Sequence, residues 1–336
     1  MALSAGDLAR LSAPPASWYL LAQGAALRPG VPAALSVAGQ ELAAWRRADG
    51  TPAAVAARCA HQSATLAGGR VDGDHLRCPF HGWAWSADGT CAHAPGLAAP
   101  PAYARLPAWP LEERHGLLHL FLGPAPAFPL PFFPGQDPAG WEADAPLRLI
   151  ADSPWYMVSA NGFDEQHFAH VHGREHVSPP EVDQPHPAAR RVVHRFQVTG
   201  HSPADRLVRR LFGAGATLTF ESWLGTTIVG TMRFGPFVNH LLVHVQPLGP
   251  SRCAVDFVVH LRRSWPAPVR ALARRLLRRF TGSFFRHETR VLGGPRIDPG
   301  RLTAADALLR EYLEWLVAAT SASAPLPACP RAHAAR

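Results

Sequence analysis

Two cysteine–histidine pairs are the residues of this chain that are best suited to chemistry. Cys59 and His61 form the first pair, and Cys78 and His81 form the second, after sixteen intervening residues. Thiolate sulfur and imidazole nitrogen both bind transition metals, so the pattern predicts a metal centre. Two Cys on one iron and two His on the other would form a [2Fe–2S] centre of raised reduction potential. A structural Cys2His2 zinc site is the alternative, although zinc ligands of one kind usually follow each other in sequence.

The segment around both pairs resembles a known family. From Arg58 to Cys91 it is similar to the Rieske domain of the ring-hydroxylating, or Rieske non-haem iron, oxygenases. The resemblance continues upstream to Trp18 and downstream to residues 111–123. It implies that one [2Fe–2S] cluster is bound by Cys59, His61, Cys78 and His81.

One departure from the family pattern lies inside the first pair. Ala60 and Gln62 stand where the family usually carries Pro and Arg. Ligation is unaffected, but the charge and the hydrogen bonds that tune the cluster potential are expected to differ.

A second group of polar residues follows at residues 161–173. Asp164, His167 and His170 would share one face of a helix, whereas His172 lies about 140° from His167. Geometry alone therefore favours His167 and His170 as a metal-binding pair. A helix that ends at Gly173 could instead turn His172 toward the metal.

The resemblance extends to this group. Asn161, Asp164, His167 and His172 match the mononuclear iron motif of the Rieske oxygenases, Asn-x2-Asp-x2-His-x4-His. It implies that His167 and His172 bind Fe(II), that His170 does not, and that Asn161 supports the site. It also implies that Asp164 bridges His167 to a cluster histidine of a neighbouring subunit, which carries electrons between the metals and requires a ring of subunits. The family members without a second subunit type are homotrimers of this kind.

A third iron ligand is expected from a long helix near the C-terminus. A facial triad of two His and one carboxylate leaves three iron positions open for O2 and substrate. Glu288 is the candidate, although the family usually carries Asp there. Asp298 and Asp306 are alternatives, and an ordinary surface carboxylate is another interpretation of Glu288.

Length and composition are consistent with two domains. The chain has 336 residues, of which 47% are hydrophobic, enough for a substantial core. It has no apolar run of membrane-spanning length, and its first residues lack the features of a secretory signal, so a cytoplasmic location and no membrane partner are expected. Five cysteines, an odd number, argue against a disulfide framework; Cys91, Cys253 and Cys329 are expected to have no chemistry.

The net charge of +8 comes from abundant Arg in the C-terminal third. These residues are not interleaved with a recognised nucleic-acid-binding module, so no nucleic-acid partner is expected. An acidic protein partner is the preferred interpretation, and a solvated helix face is the alternative.

The pattern and the resemblance together predict an α+β fold. An all-β Rieske domain at 17–125 is expected to precede a catalytic domain at 126–320, in which helices cover a curved antiparallel sheet of the helix-grip, START-like type. Strands within 1–40 are expected to belong partly to both domains, and 321–336 to form a flexible tail. Alternation predicts five strands, at 194–199, 216–223, 227–234, 239–246 and 253–261. Two helices are predicted at 269–292 and 303–319. Six residues are candidates for the lining of a substrate pocket, although a simple core position is the preferred interpretation of each: Met157, Phe163, Phe168, Phe220, Trp223 and Met232.

The function implied is reductive activation of O2. The chain shows neither a dinucleotide-binding Gly-x-Gly-x-x-Gly loop nor a ferredoxin-type Cys run, so electrons are expected from a separate ferredoxin or NAD(P)H-dependent reductase. Monooxygenation of a medium-sized apolar or aromatic metabolite, by hydroxylation or oxidative demethylation, is the preferred hypothesis. Cis-dihydroxylation of an arene is the alternative. A non-catalytic Rieske electron carrier or redox sensor and a zinc-stabilised binding protein are hypotheses from other classes.

Overall fold

The computed structural model describes residues 3–201, 203–294 and 296–321, which divide into two compact units. The first unit holds residues 16–129, and the second holds residues 3–15 together with 130–321. The predicted tail lies outside the described residues from 322 onward, as does Cys329.

The first unit is built from ten short strands in three antiparallel sheets. The sheet orders are β1-β10-β9, β2-β3-β4 and β5-β6-β7-β8. The strands are β1 Trp18–Gln23, β2 Ala33–Val37, β3 Gln40–Arg46, β4 Pro52–Ala56, β5 Arg70–Asp72, β6 His75–Arg77, β7 Ala84–Trp85, β8 Cys91–His93, β9 Leu111–Arg114 and β10 Leu117–Phe121.

The core of the first unit fixes the two loops that carry the Cys/His pairs. Trp45, Trp85, Leu66 and Leu76 are fully buried and pack in one cluster with Cys59 and Cys78. Burial of such side chains is the main favourable term that holds these short strands together.

The second unit is one large antiparallel sheet with helices. The sheet order is β11-β19-β18-β17-β16-β15-β13, β12 pairs with β19, and β14 pairs with β15. The strands are β11 Trp141–Ala143, β12 Leu147–Ala151, β13 Arg174–His176, β14 Glu181–His186, β15 Ala189–Val198, β16 Gly215–Trp223, β17 Thr227–Phe234, β18 Phe237–Gly249 and β19 Arg252–Arg262. The helices are α1 Ala5–Arg10, α2 Trp155–Ala160, α3 Glu165–His172, α4 Pro203–Phe212, α5 Ala267–Leu292 and α6 Ala307–Ser321.

Helices pack on this sheet through aromatic and hydrogen-bonded contacts. The Phe285 ring of α5 stacks on Phe257 of β19, with centroids 3.9 Å apart. Tyr312 of α6 is fully buried, stacks on Phe163, and its hydroxyl hydrogen-bonds Ser222 Oγ of β16 at 2.7 Å and Ser159 Oγ of α2 at 2.8 Å. One phenol thus joins α6, α2 and the sheet.

The predicted α+β fold is confirmed, with differences at element ends. Residues 3–15 contribute helix α1 to the second unit, not strands. The predicted helix start at Thr303 was too early, because Thr303 and Asp306 form a capping box around a short 3-10 turn and α6 begins at Ala307. Within the described residues, no helix is both long enough and apolar enough to cross a membrane.

The Tyr312 hydroxyl should contribute measurably to stability. Tyr312→Phe leaves two buried serine hydroxyls without this partner, so we expect a loss of about 1–3 kcal/mol in the free energy of unfolding. Urea denaturation measures it. The double variant Tyr312→Phe/Ser222→Ala should lose less than the sum of the two single losses, and strict additivity would show that the hydrogen bond contributes little.

Candidate metal centres

Each Cys/His pair of the first unit lies in a tight loop that follows a strand. Cys59 follows β4, and its backbone N–H donates to the Ala64 carbonyl at 2.9 Å. Cys78 follows β6, and its N–H donates to the Trp83 carbonyl at 2.8 Å. Each loop therefore curls back on itself and presents its sulfur and its imidazole together.

The four side chains differ in exposure. The Cys59 and Cys78 residues are 3% and 4% exposed, whereas His61 is half-buried and His81 is exposed. The two imidazole centroids are 4.8 Å apart, and Trp83 stacks on His61 at 4.5 Å. The thiols thus lie inside and the imidazoles toward the surface.

The donor chemistry of this group fits a metal cluster. Burial raises the pKa of the Cys59 thiol to about 11, and the neighbouring Cys78 adds to that effect. A thiol with so high a pKa becomes a thiolate only when a cation compensates for its charge. The Nδ1 atom of His61 is shielded from solvent and has no hydrogen-bond partner among the described residues, as expected of an atom placed to bind a metal.

The second group is positioned by the two ends of helix α3. The Asp164 carboxylate caps its start by accepting from the His167 backbone N–H at 3.1 Å. Gly173 ends it in the left-handed region with φ +56, and a Cβ there would stand 2.8 Å from the Gly200 Cα. Only glycine fits this close approach. The helix therefore stops at His172, as the sequence indicated.

The end of helix α3 and the packing of α5 bring two imidazole nitrogens and one carboxylate together. His167 Nε2 lies 3.0 Å from His172 Nε2 and 2.9 Å from Glu288 Oε1, and His172 Nε2 lies 3.0 Å from Glu288 Oε2. Bonds of about 2.1 Å at right angles would separate two ligand atoms by about 3.0 Å, whereas tetrahedral bonds of that length would separate them by about 3.4 Å. Each of these separations therefore equals the distance expected between neighbouring ligand atoms of an octahedral ion.

Glu288 lies on α5 and is ionised in this setting. It is 6% exposed, which by itself would raise its pKa, but hydrogen bonds from His167 and His172 and their charges lower the pKa to about 2. Asn161 Nδ2 also donates to Glu288 Oε1, at 2.6 Å. The group is a buried anion between two imidazoles, and a divalent cation suits it.

The remaining residues predicted for this site lie elsewhere. His170 is exposed on α3. Asp298 accepts from the Gly300 N–H at 3.0 Å, and Asp306 caps Thr303, so neither alternative carboxylate joins the histidines. The acceptors of Asp298 are used in a short local turn, and Asp306 accepts from Thr303 and from Gln166 of α3.

A cavity of about 380 Å3 adjoins the triad. Phe168, Phe220 and Met232 line it, as the sequence suggested, but Met157, Phe163 and Trp223 do not. Its walls are mostly apolar, and His172 and Glu288 are on its surface. Such a cavity suits a small to medium-sized apolar molecule.

A pair of hydrogen-bonded histidines beside α3, of which His194 is buried, was not predicted from the sequence. His194 Nε2 donates to the Gly162 carbonyl at 2.9 Å, and His194 Nδ1 therefore accepts from His176 Nε2, also at 2.9 Å. Gly162 lies between Asn161 and Asp164, so this chain of bonds anchors the turn that precedes α3. The alternation of β15, in which His194 falls on the inward face with Phe196, was the available signal.

Comparison with known proteins identifies the first centre. Residues 17–110 match the family model described as Rieske [2Fe-2S] domain. The 3-ketosteroid-9-alpha-monooxygenase oxygenase component of Rhodococcus rhodochrous is 32% identical over 114 residues, 34% of this chain and 30% of that protein. The chloroacetanilide N-alkylformylase oxygenase component of Rhizorhabdus wittichii is 33% identical over 163 residues, 46% of each protein. The matches thus span less than half the length of these curated relatives.

Solved structures share the fold over nearly the whole chain. Dicamba monooxygenase bound to 3,6-dichlorosalicylic acid has a TM-score of 0.65 at 19% identity and covers 91% of this chain and 98% of its own. Pseudomonas putida CBB5 NdmA with caffeine has a TM-score of 0.67 at 20% identity and covers 92% and 91%. These findings show a Rieske [2Fe–2S] domain at residues 17–110, sequence similarity to oxygenase components, and the fold of the solved structures over nearly the whole chain.

Removal of the Glu288 charge should weaken metal binding. Glu288→Gln keeps the side-chain shape, so we expect at least about a tenfold loss in affinity for Co(II) at the triad, whereas Glu288→Asp should retain more of it. Anaerobic Co(II) titration monitored by ligand-field absorption measures both. Equal affinities for the wild type and Glu288→Gln would exclude Glu288 as a ligand.

The buried His194 should make stability depend on pH. Burial lowers its pKa from 6.5 to about 4, against the opposing effect of the Gly162 hydrogen bond. Between these two values the unfolded chain binds the extra proton, so His194 lowers the free energy of unfolding as the pH falls from 6.5 toward 4.

Between pH 4 and 6.5 we expect the free energy of unfolding of the wild type to rise with pH. The slope should exceed that of His194→Gln by up to about 1.4 kcal/mol per pH unit. Urea denaturation at several pH values measures the two slopes. The exposed His170→Gln serves as the control and should keep the wild-type slope; identical slopes in all three proteins would contradict the assignment.

Proposed function

We propose that this chain is the oxygenase component of a Rieske non-haem iron monooxygenase. The observation that carries the proposal is the triad of His167, His172 and Glu288, which faces an apolar cavity in a chain that also has a Rieske domain. Iron held by that triad would supply reductive activation of O2, with electrons from the [2Fe–2S] cluster. A mere electron carrier has no need of a second site of this geometry.

The residues around the triad prepare it for such chemistry. His167 and His172 present both Nε2 atoms to one point, and Asn161 holds Glu288 beside them. The opposite side of an octahedral ion would remain free for O2 and substrate. The apolar cavity walls keep bulk water away from the reacting carbon and bind an apolar substrate through burial.

Monooxygenation of an apolar or aromatic metabolite is the preferred reaction. Relatives include proteins named 5,5'-dehydrodivanillate O-demethylase oxygenase subunit, 31% identical, and methylxanthine N1-demethylase NdmA, 30% identical. Their names support hydroxylation or oxidative demethylation over cis-dihydroxylation.

The proposal includes a separate electron donor and an assembly of several copies of this chain. Relatives named as oxygenase components imply separate reducing partners, so a ferredoxin or a reductase is the expected donor. A cytoplasmic homotrimer, in which Asp164 of one subunit meets His81 of the next, would complete the electron path.

Iron content and oxygen incorporation test the function. We expect about three Fe and two acid-labile sulfides per chain after anaerobic reconstitution, because the cluster holds two Fe and the triad one. A panel of apolar metabolites supplied with donor and 18O2 should give a product with one labelled oxygen or one lost methyl group. Two labelled oxygens on adjacent carbons would indicate dihydroxylation, and about two Fe without turnover would favour the electron carrier.

The two roles of Asp164 can be separated. Asn also caps helices well, so Asp164→Asn should keep helix α3 and both metals while losing the charge of the proposed bridge. We expect at least about a hundredfold slower reoxidation of the reduced cluster by O2 with substrate present, measured by stopped-flow absorption. Glu165→Gln, one residue further along, is the matched control. An unchanged rate in Asp164→Asn would exclude the bridge.

A further inference from the structure

The cavity floor is formed by alternate residues of the large sheet. The residues of β17 that line the cavity are Ile228, Gly230, Met232 and Phe234. Those of β18 are Phe237, Asn239, Leu241 and Val243. Of the strand residues from β15 to β19 that line the cavity in the described part of the chain, Asn239 is the only one with a polar side chain. A polar residue at one position of an otherwise apolar wall indicates recognition of a ligand group.

The Asn239 side chain has a hydrogen-bond acceptor that no described residue of the protein pairs. Its Oδ1 atom is shielded from solvent and has no hydrogen-bond partner among the described residues. Its cross-strand neighbour is Met232, which cannot donate a hydrogen bond to it. A shielded acceptor in this state is unfavourable unless a ligand donates to it.

Strand register places Asn239 away from the metal-binding triad. His194, Leu218, Met232 and Asn239 form one row across β15, β16, β17 and β18. Three strand spacings amount to about 14 Å. His194 is bonded to Gly162 beside the triad, so Asn239 lies toward the far side of the cavity.

We propose that Asn239 anchors the substrate by accepting a hydrogen bond from a hydroxyl or N–H group remote from the carbon that reacts. The proposal rests on the function proposed above and narrows its substrate class. The substrate is an elongated, mostly apolar molecule with one hydrogen-bond donor at the end opposite the oxidised position. The apolar walls supply most of the binding, and Asn239 sets which end of the molecule faces the triad.

Two matched probes test the anchor without any turnover. 4-Hydroxybiphenyl carries a donor at one end of a rigid apolar frame, and 4-methylbiphenyl has nearly the same shape without a donor. Dissociation constants are measured by equilibrium dialysis with the metal-loaded protein, anaerobically and without an electron donor. Wild-type protein, Asn239→Leu and Leu241→Met are compared, the last as a conservative change on the same face of β18.

We expect the ratio of the two dissociation constants, methyl over hydroxyl, to fall at least about tenfold from wild type to Asn239→Leu. Leu241→Met should change both constants alike and leave the ratio within about twofold. An unchanged ratio in Asn239→Leu would overturn the anchor, and failure of the wild type to bind either probe would overturn the substrate class. Because no reaction is involved, a protein that passes this test but never oxygenates a substrate would reject the proposed function alone.

Discussion

The second unit depends on one buried charge. Glu288 is 6% exposed, yet it is held as an anion by two imidazoles and one amide. A buried carboxylate is unfavourable unless partners or a cation compensate for its loss of hydration. The surrounding elements therefore have to deliver those partners within hydrogen-bonding distance, and that requirement sets where α3 ends and where α5 packs.

Each partner of the carboxylate is fixed by ordinary local devices. Asp164 caps the start of α3, and Gly173 ends that helix one residue after His172. The His194 bond to the Gly162 carbonyl holds the turn that carries Asn161. On the other side, the Phe285 ring of α5 stacks on Phe257 of the sheet, one helical turn before Glu288. The positions of the three triad side chains are well defined because helix caps, turns and aromatic packing each restrict the backbone that carries them.

The cavity follows from the same construction. A sheet that packs α5 and α3 on one face leaves a space between them, and strand alternation fills its wall with apolar side chains. Cys59 and Cys78 of the first unit are positioned in the same way on a smaller scale. Their loops are anchored by buried Trp and Leu side chains, while His81 remains at the surface.

Residue types, their spacing and the family resemblance that they carry were together sufficient to predict the kind of chemistry and the fold class. Two Cys/His pairs, the motif from Asn161 to His172 and the strand alternation after 189 are local patterns, and local patterns survive without knowledge of the fold. Helix geometry alone favoured His170 as the partner of His167 at the metal, whereas the family resemblance favoured His172. The left-handed turn at Gly173 is the structural feature that ends the helix at His172.

Tertiary structure decided the rest. Glu288 was the candidate ligand, with Asp298 and Asp306 as alternatives, and the packing of α5 against the sheet is what brings Glu288 to His167 and His172. The hydrogen bond between His176 and His194 and the position of Asn239 on the cavity wall likewise depend on neighbouring strands. The sequence alone therefore determined which atoms could bind metals, because that is a property of side-chain type and local spacing. Only the fold determined which of them meet and which polar group faces the cavity, because those depend on contacts between residues far apart in the chain.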